Sequence, residues 1–199
     1  MGGRSRAAAE MLKHRGFGEV YSLAGGMAAW DGLTAPGTAT HGLGLVSGKE
    51  DLARLLVIAL GLEAGLGQFY RQAAQRAMDQ RTRELCLRLV QVEQRHQDHV
   101  YDMYLWERPD SPDQNTLLEQ AHALVMEGGE SVEQALGRLL PQGFGEQALV
   151  ETAMGIEAQG LDLYLRMAHK LGQEQARQAL YDLAEEERAH LKALGELLE

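Results

Sequence analysis

A repeated triplet of two glutamates and a histidine limits what this chain can fold into more than any other feature. Its members are Glu63, Glu93 and His96 in the first triplet, and Glu157, Glu187 and His190 in the second triplet. In both copies the second glutamate follows the first by 30 residues (93 − 63 and 187 − 157), and the histidine follows three positions later. Corresponding residues are 94 positions apart (157 − 63, 187 − 93 and 190 − 96). This repeat predicts a duplicated fold in which each half supplies one triplet.

Each triplet residue lies in an apolar stripe whose steps of three and four residues place it on one face of a helix. The stripes are Leu52, Leu56, Ala59, Glu63, Leu66 and Tyr70; Cys86, Leu89, Glu93, His96, Val100 and Met103; Glu146, Val150, Ala153, Glu157, Gly160 and Tyr164; and Leu180, Leu183, Glu187, His190, Leu194 and Leu197. Strong helix formers dominate the chain around them. The pattern predicts four long helices, over about 48–77, 80–106, 144–171 and 173–198.

The connections between these helices predict their order in space. Short turns around Asp79 and Gly172 indicate two antiparallel hairpins. The long connection, 107–143, begins with two prolines and is expected to carry two shorter helices, near 114–126 and 131–139. Ser47, with Glu50 three residues later, is the expected capping box of the first helix. Two hairpins joined by a long helical crossover form the ferritin-like antiparallel four-helix bundle, so we predict an all-α body.

The chemistry of the triplets predicts a metal centre inside this bundle. Four carboxylates that converge in an apolar interior repel one another, and a buried unpaired carboxylate costs several kcal/mol. Two divalent ions between them remove both costs. Glu63 and Glu157 are the bridging candidates, since their helices carry no ligating histidine, and each Glu-x-x-His would serve one ion. Tyr70 and Tyr164 follow these glutamates by two turns, either as core aromatics or as hydrogen-bonding partners of the ligands.

Composition excludes several other classes of protein. The formal net charge of −10 argues against nonspecific binding to nucleic acid, which requires a basic surface. We expect no membrane span, because no apolar run approaches about 20 residues, and no secretory signal, so a cytoplasmic location is the default. Cys86 is the only cysteine. It cannot form an internal disulfide or a rubredoxin-type iron site, and its register predicts a buried, inert thiol.

Residues 48–199 resemble the rubrerythrin branch of the ferritin-like superfamily. The resemblance rests on Glu63, Glu93-Gln94-Arg95-His96, Glu157 and Glu187-Arg188-Ala189-His190. It implies two iron ions, with manganese or zinc as possible substitutes, a homodimer, and reduction of hydrogen peroxide or dioxygen. The chain departs from the family at Gly160, where rubrerythrins usually carry a further glutamate, and in lacking the cysteines of a rubredoxin module. Electrons would therefore come from an external donor protein.

Two other functions are compatible with the same residues. The first is iron handling by a ferroxidase or iron-binding protein, for which oxygen or peroxide is only the electron sink. The second is a metal-binding sensor or scaffold linked to sulfur metabolism, with no turnover. Carboxylate and imidazole ligands suit several ions, so the choice between iron, manganese and a mixed pair stays open. The long crossover would also permit exchange of hairpins between chains.

Residues 1–38 resemble the C-terminal third of a rhodanese domain, and 39–47 have the composition of a linker. The matching stretches are Gly2-Gly3-Arg4-Ser5-Arg6-Ala7-Ala8 and Gly16-Phe17-Gly18-Glu19-Val20-Tyr21-Ser22-Leu23-Ala24-Gly25-Gly26-Met27-Ala28-Ala29-Trp30. We expect a small α/β remnant with a helix over Arg4–His14, ended by Gly16, and a strand over Glu19–Leu23. The family's nucleophilic cysteine would precede Gly2, where this chain has Met1. Sulfur transfer by this polypeptide is therefore not expected. The arrangement suggests either a start site placed too late or a piece cut from a longer rhodanese–rubrerythrin fusion.

Overall fold

The computed structural model describes residues 8–9, 11–13, 15–20, 50–121, 126, 130–139, 144–170 and 173–197. From residue 50 onward these contain six helices, which are α1 (Leu52–Arg76), α2 (Gln80–Glu107), α3 (Gln114–Ala121), α4 (Val132–Leu139), α5 (Glu146–Lys170) and α6 (Glu174–Glu196). The described residues contain no β-strand, and the helices pack together. The prediction of an all-α body is confirmed. The four long helices and both crossover helices are present near their predicted positions, although α1 begins later than predicted and α3 ends at Ala121, with residue 126 not helical.

The start of α1 differs from the prediction. Asp51 caps the helix, and its carboxylate accepts a hydrogen bond from the backbone N–H of Arg54 at 2.8 Å. Glu50 precedes this cap and so lies outside the first helical turn. The predicted capping box of Ser47 and Glu50 is therefore wrong, while Ser47 itself lies outside the described residues. Aspartate is as good a cap as serine, and the residue closest to the first apolar turn fills the role.

The four long helices form two hairpins, α1–α2 and α5–α6, as predicted. Asp79 caps α2 directly after α1 by accepting a hydrogen bond from the backbone N–H of Thr82 at 2.8 Å. Arg81 at the start of α2 pairs with Glu146 at the start of α5, with 2.6 Å between Nε and Oε2. These two helices therefore begin at the same end of the bundle. The order hairpin, crossover, hairpin agrees with a ferritin-like topology, and membership of that fold family stays a prediction.

The apolar residues of the predicted stripes face the core, with one exception. Leu197 is 43% exposed, because α6 ends at Glu196 and Leu197 lies beyond its last turn. Cys86 is fully buried, and desolvation raises the pKa of its thiol to about 11, which agrees with an inert core thiol. Polar or charged residues also lie in this core, namely Glu63, Thr82, Glu93, Gln97, Glu157 and Glu187. Four of these six are the triplet glutamates.

Helix α1 is the most enclosed of the long helices, because α3 and α4 of the crossover also pack against it. Gly61 permits this contact: a Cβ at that position would lie 2.9 Å from the Cβ of Ala121 in α3. By length and composition α1 is apolar enough to cross a membrane, because an 18-residue window within it has a mean hydropathy of 1.5. The expectation that the chain has no apolar segment of this kind is therefore corrected. However, 78% of that apolar window is buried in the bundle, as is common for a core helix.

The described part of the N-terminal segment confirms the predicted helix end. Residues 8–9 and 11–13 are helical, and Gly16 follows with φ +84°, a left-handed conformation that favours glycine. The backbone N–H of Phe17 donates to the carbonyl of Leu12 at 3.2 Å, as in a Schellman motif.

The rest of the rhodanese resemblance is not tested by these residues. Residues 19–20 of the predicted strand are described and are not in a strand, while 21–49 lie outside the described residues together with the predicted linker. The α/β remnant therefore stays a prediction.

Candidate metal centre

The four long helices bring the two triplets into the middle of the bundle. Helix α1 carries Glu63, α2 carries Glu93 and His96, α5 carries Glu157, and α6 carries Glu187 and His190. In each triplet one ligand atom from each residue lies within 4.8 Å of the others. The four glutamates are at most 2% exposed. Each triplet is thus a buried group of two carboxylates and one imidazole that could hold a metal ion.

In the first triplet the imidazole Nδ1 faces both carboxylates. It lies 3.6 Å from Oε2 of Glu63 and 3.5 Å from Oε2 of Glu93. Within the described part of the chain, Oε2 of Glu63, both carboxylate oxygens of Glu93 and Nδ1 of His96 are buried without a hydrogen-bond partner. Buried polar atoms are almost always satisfied. A cation among these atoms would satisfy all of them, so the first triplet fits a metal ion.

The second triplet repeats this arrangement. Nδ1 of His190 lies 3.1 Å from Oε2 of Glu157 and 3.6 Å from Oε2 of Glu187. The two imidazoles also meet, with 2.7 Å between Nε2 of His96 and Nε2 of His190 and near-parallel rings whose centroids are 4.0 Å apart. One of these nitrogens must carry a proton that the other accepts. The two triplets therefore form one continuous centre, and the sequence repeat is also a repeat in space.

The centre holds protons when no metal is bound. Burial raises the pKa of Glu93 well above its usual range, and the neighbouring carboxylates raise it further. For His96 burial lowers the pKa, but the contacts with Glu63 and Glu93 outweigh it and raise the pKa to about 10. Burial acts to raise the pKa of Glu157, but a hydrogen bond with Glu187 and the nearby imidazoles leave that pKa below its usual value. A metal ion would have to displace the protons of the first triplet.

The tyrosines predicted beside the ligands are both fully buried. The hydroxyl of Tyr164 in α5 donates a hydrogen bond to Oε1 of Glu63 in α1 at 3.3 Å, and so joins the two halves of the bundle. Tyr70 packs edge-on against Phe69, with ring centroids 5.3 Å apart. Tyr164 thus contacts a triplet carboxylate through Oε1 of Glu63. The other oxygen of Glu63, Oε2, faces His96.

Two residues at the centre were not predicted. Gln97 is 3% exposed, and its side-chain amide donates to the backbone carbonyl of Glu63 at 3.4 Å. A Cβ on Gly67 would lie 3.3 Å from Nε2 of Gln97 and 3.5 Å from Cβ of Glu93, so glycine lets α1 and α2 approach closely here. Gln97 and Gly67 each lie four residues after a triplet glutamate. The same helical spacing that revealed the ligands could have revealed them.

Other histidines and glutamates of α2, α5 and α6 lie outside the centre. His99 is half exposed and pairs with Glu186 of α6, with 3.2 Å between Nε2 and Oε1. Glu151 and Glu185 are exposed, whereas Glu186 is partly buried.

Comparisons of the chain with protein-family models, with curated proteins and with solved structures give no match. The resemblances to rubrerythrins and to rhodanese domains therefore stay predictions, and the functional argument depends on the geometry of the centre.

Proposed function

We propose that this chain is a non-haem di-iron oxidoreductase of the rubrerythrin type that reduces hydrogen peroxide. The observation that carries the proposal is the convergence of four buried carboxylates and two imidazoles, several of whose ligand atoms have no hydrogen-bond partner among the described residues. Nothing in the packing of an apolar bundle calls for such a group, because burying ionisable side chains costs free energy even when they pair with one another. Metal ions bound between these side chains would neutralise the carboxylates and so account for their convergence.

Each triplet would hold one ion through two carboxylates and the Nδ1 of its histidine. Oxygen and imidazole donors suit iron, manganese and zinc, so the donor set fits the proposed ions and several substitutes. The contact of Tyr164 with Oε1 of Glu63 leaves Oε2 for the metal, and such outer hydrogen bonds normally orient a ligand. Gln97 adds a second contact, to the backbone of the same residue. The bridging roles expected of Glu63 and Glu157 stay predictions, because a bridge through both oxygens of Glu63 would require Oε1 to leave its hydrogen bond with Tyr164.

Two ferrous ions, when bound, supply the two electrons that cleavage of one O–O bond requires. The chain contributes the surroundings of that reaction. The apolar residues that flank the ligands along the stripes are buried and limit the access of bulk water, which strengthens the interaction of the carboxylates with cations. The two imidazoles keep 15% and 14% exposure and are the ligands nearest to solvent, so we expect hydrogen peroxide to approach from their side. A single buried cysteine cannot form an electron-transfer centre, so an external donor protein completes the proposed cycle.

Metal content tests the centre itself. The purified protein is loaded with Fe²⁺ under anaerobic conditions, desalted and analysed for iron. We expect two iron ions per chain in the wild type and loss of both sites in Glu93→Gln/Glu187→Gln, which keeps the side-chain shape but removes two ligand charges. The matched control is Glu151→Gln/Glu185→Gln, which makes the same charge change at exposed positions and should keep both ions. Little iron in the wild type would overturn the proposal.

Peroxide stoichiometry then separates the proposed activity from its rivals. The loaded wild type should consume one peroxide per chain in a single anaerobic turnover, and should turn over again when a reductant is added. A ferroxidase would instead continue to oxidise added Fe²⁺ with oxygen and accumulate more than two ions per chain. A sensor or scaffold would leave peroxide unchanged although both ions are bound. The homodimer is a further expectation from the resemblance, and the cytoplasmic location is one from the sequence.

A further inference from the structure

The metal centre is fully enclosed on its carboxylate side and slightly exposed on its imidazole side. The four glutamates are at most 2% exposed, whereas the side chains of His96 and His190 keep 15% and 14%. These histidines lie on α2 and α6. The imidazoles on α2 and α6 are therefore the ligands of the centre that lie nearest to solvent.

A second histidine–glutamate pair spans the same two helices. Nε2 of His99 in α2 lies 3.2 Å from Oε1 of Glu186 in α6, and the side chains are 52% and 32% exposed. His99 follows His96 by three residues, and Glu186 precedes His190 by four. Because a helical turn contains 3.6 residues, each member of this outer pair lies about one turn from a buried imidazole.

The outer pair is not a product of the internal repeat. Every ligand of the buried centre has a counterpart 94 residues away, but His99 corresponds to Ala193 (99 + 94) and Glu186 to Val92 (186 − 94). The pair also contributes little to stability as an exposed ion pair. An imidazole and a carboxylate on separate helices, directly outside a centre built from the same two groups, have the chemistry of metal ligands.

We propose that His99 and Glu186 form an outer binding site that delivers divalent cations to the buried centre. This inference rests on the proposed function. Imidazole nitrogen and carboxylate oxygen are good donors for Fe²⁺, Mn²⁺ and Zn²⁺. With only two protein ligands and water completing the shell, the outer site binds more weakly than the three-ligand triplets, so an ion moves inward. The net charge of −10 concentrates cations near the protein surface.

The rate of loading tests the delivery role. Co²⁺ is mixed with metal-free protein in a stopped-flow instrument, and the visible absorption of the bound ion reports filling of the buried centre. We expect His99→Asn/Glu186→Gln to fill about tenfold more slowly than the wild type at low Co²⁺, a change within the range of electrostatic steering, with an unchanged final stoichiometry. The control Arg81→Gln/Glu146→Gln removes another ion pair between the hairpins and should load at the wild-type rate. Equal rates of Co²⁺ loading in the wild type and both double variants would overturn the proposed delivery role.

Binding at the outer site is tested directly by NMR of protein labelled with ¹⁵N in its histidine rings. After two equivalents of Zn²⁺ have been added, further Zn²⁺ should shift Nε2 of His99 in a saturable manner, and Glu186→Gln should abolish the shift. If the signals of His96 and His190 respond while that of His99 does not, the proposal of an outer site is wrong, whereas the proposed metal centre is supported. If the buried histidines do not respond, the proposed function fails, and the delivery role fails with it.

Discussion

Raising the pH from 7 to 9 should destabilise the metal-free protein, because the folded centre holds protons that the unfolded chain releases. The pKa of His96 rises from 6.5 to about 10 on folding. Its contribution to stability is therefore fully present below pH 6.5 and is lost as the pH rises towards 10. The raised pKa of Glu93 acts in the same direction, since the folded state keeps a proton that an unfolded glutamate has already lost.

The size of the effect follows from the number of protons. One additional proton in the folded state lowers the free energy of unfolding by about 1.4 kcal/mol per pH unit, so His96 alone accounts for about 3 kcal/mol over two units. The lowered pKa of Glu157 has the opposite sign, but its window lies below 4.5. The raised pKa of Cys86, from 9.0 to about 11, also lowers the stability as the pH rises, but mainly above pH 9. Neither group offsets the loss between pH 7 and 9.

Urea unfolding followed by far-UV circular dichroism, in the presence of EDTA, measures this loss. The midpoint should fall steadily from pH 7 to pH 9 in the wild type, and less steeply in His96→Gln, which lacks the proton concerned. Saturating Zn²⁺ should reverse the trend, because metal ligands must be deprotonated and binding therefore strengthens with pH. A wild-type midpoint that is independent of pH in EDTA would refute the reasoning about the buried centre.

Two further predictions concern packing and the thiol. Gly61→Ala should lower stability by about 1–3 kcal/mol, because its Cβ would lie 2.9 Å from the Cβ of Ala121, whereas Gly155→Ala, with nothing within 4 Å, should stabilise α5 by up to about 1 kcal/mol; urea unfolding of both variants checks this contrast. Cys86 should react with a thiol reagent such as DTNB at pH 8 only when the protein unfolds, since the group is buried and its pKa is about 11; rapid labelling of the native protein would contradict its placement.

Much of the fold could be predicted because apolar residues recur at the helical spacing of three and four positions along the chain. The stripes that contain Glu63 and Glu157 needed only the spacing of apolar residues, and the structure buries both. Helix ends were harder, since Ser47 and Asp51 are both good caps and only the packed helix shows which one is used. Leu197 has the correct spacing for the core but lies beyond the last turn of α6, so it stays exposed.

The amino-acid sequence by itself determined which residues could form the centre, because a repeat of 94 residues and a helical period are properties of the chain alone. The tertiary structure decided what those residues contact. It placed the Nδ1 atoms against the carboxylates, brought His96 to 2.7 Å from His190, and added Gln97 through the close approach that Gly67 allows. It also joined His99 to Glu186 across two helices. Spacing along one helix sets the direction of a side chain, but the distance between side chains on different helices depends on how the whole bundle packs.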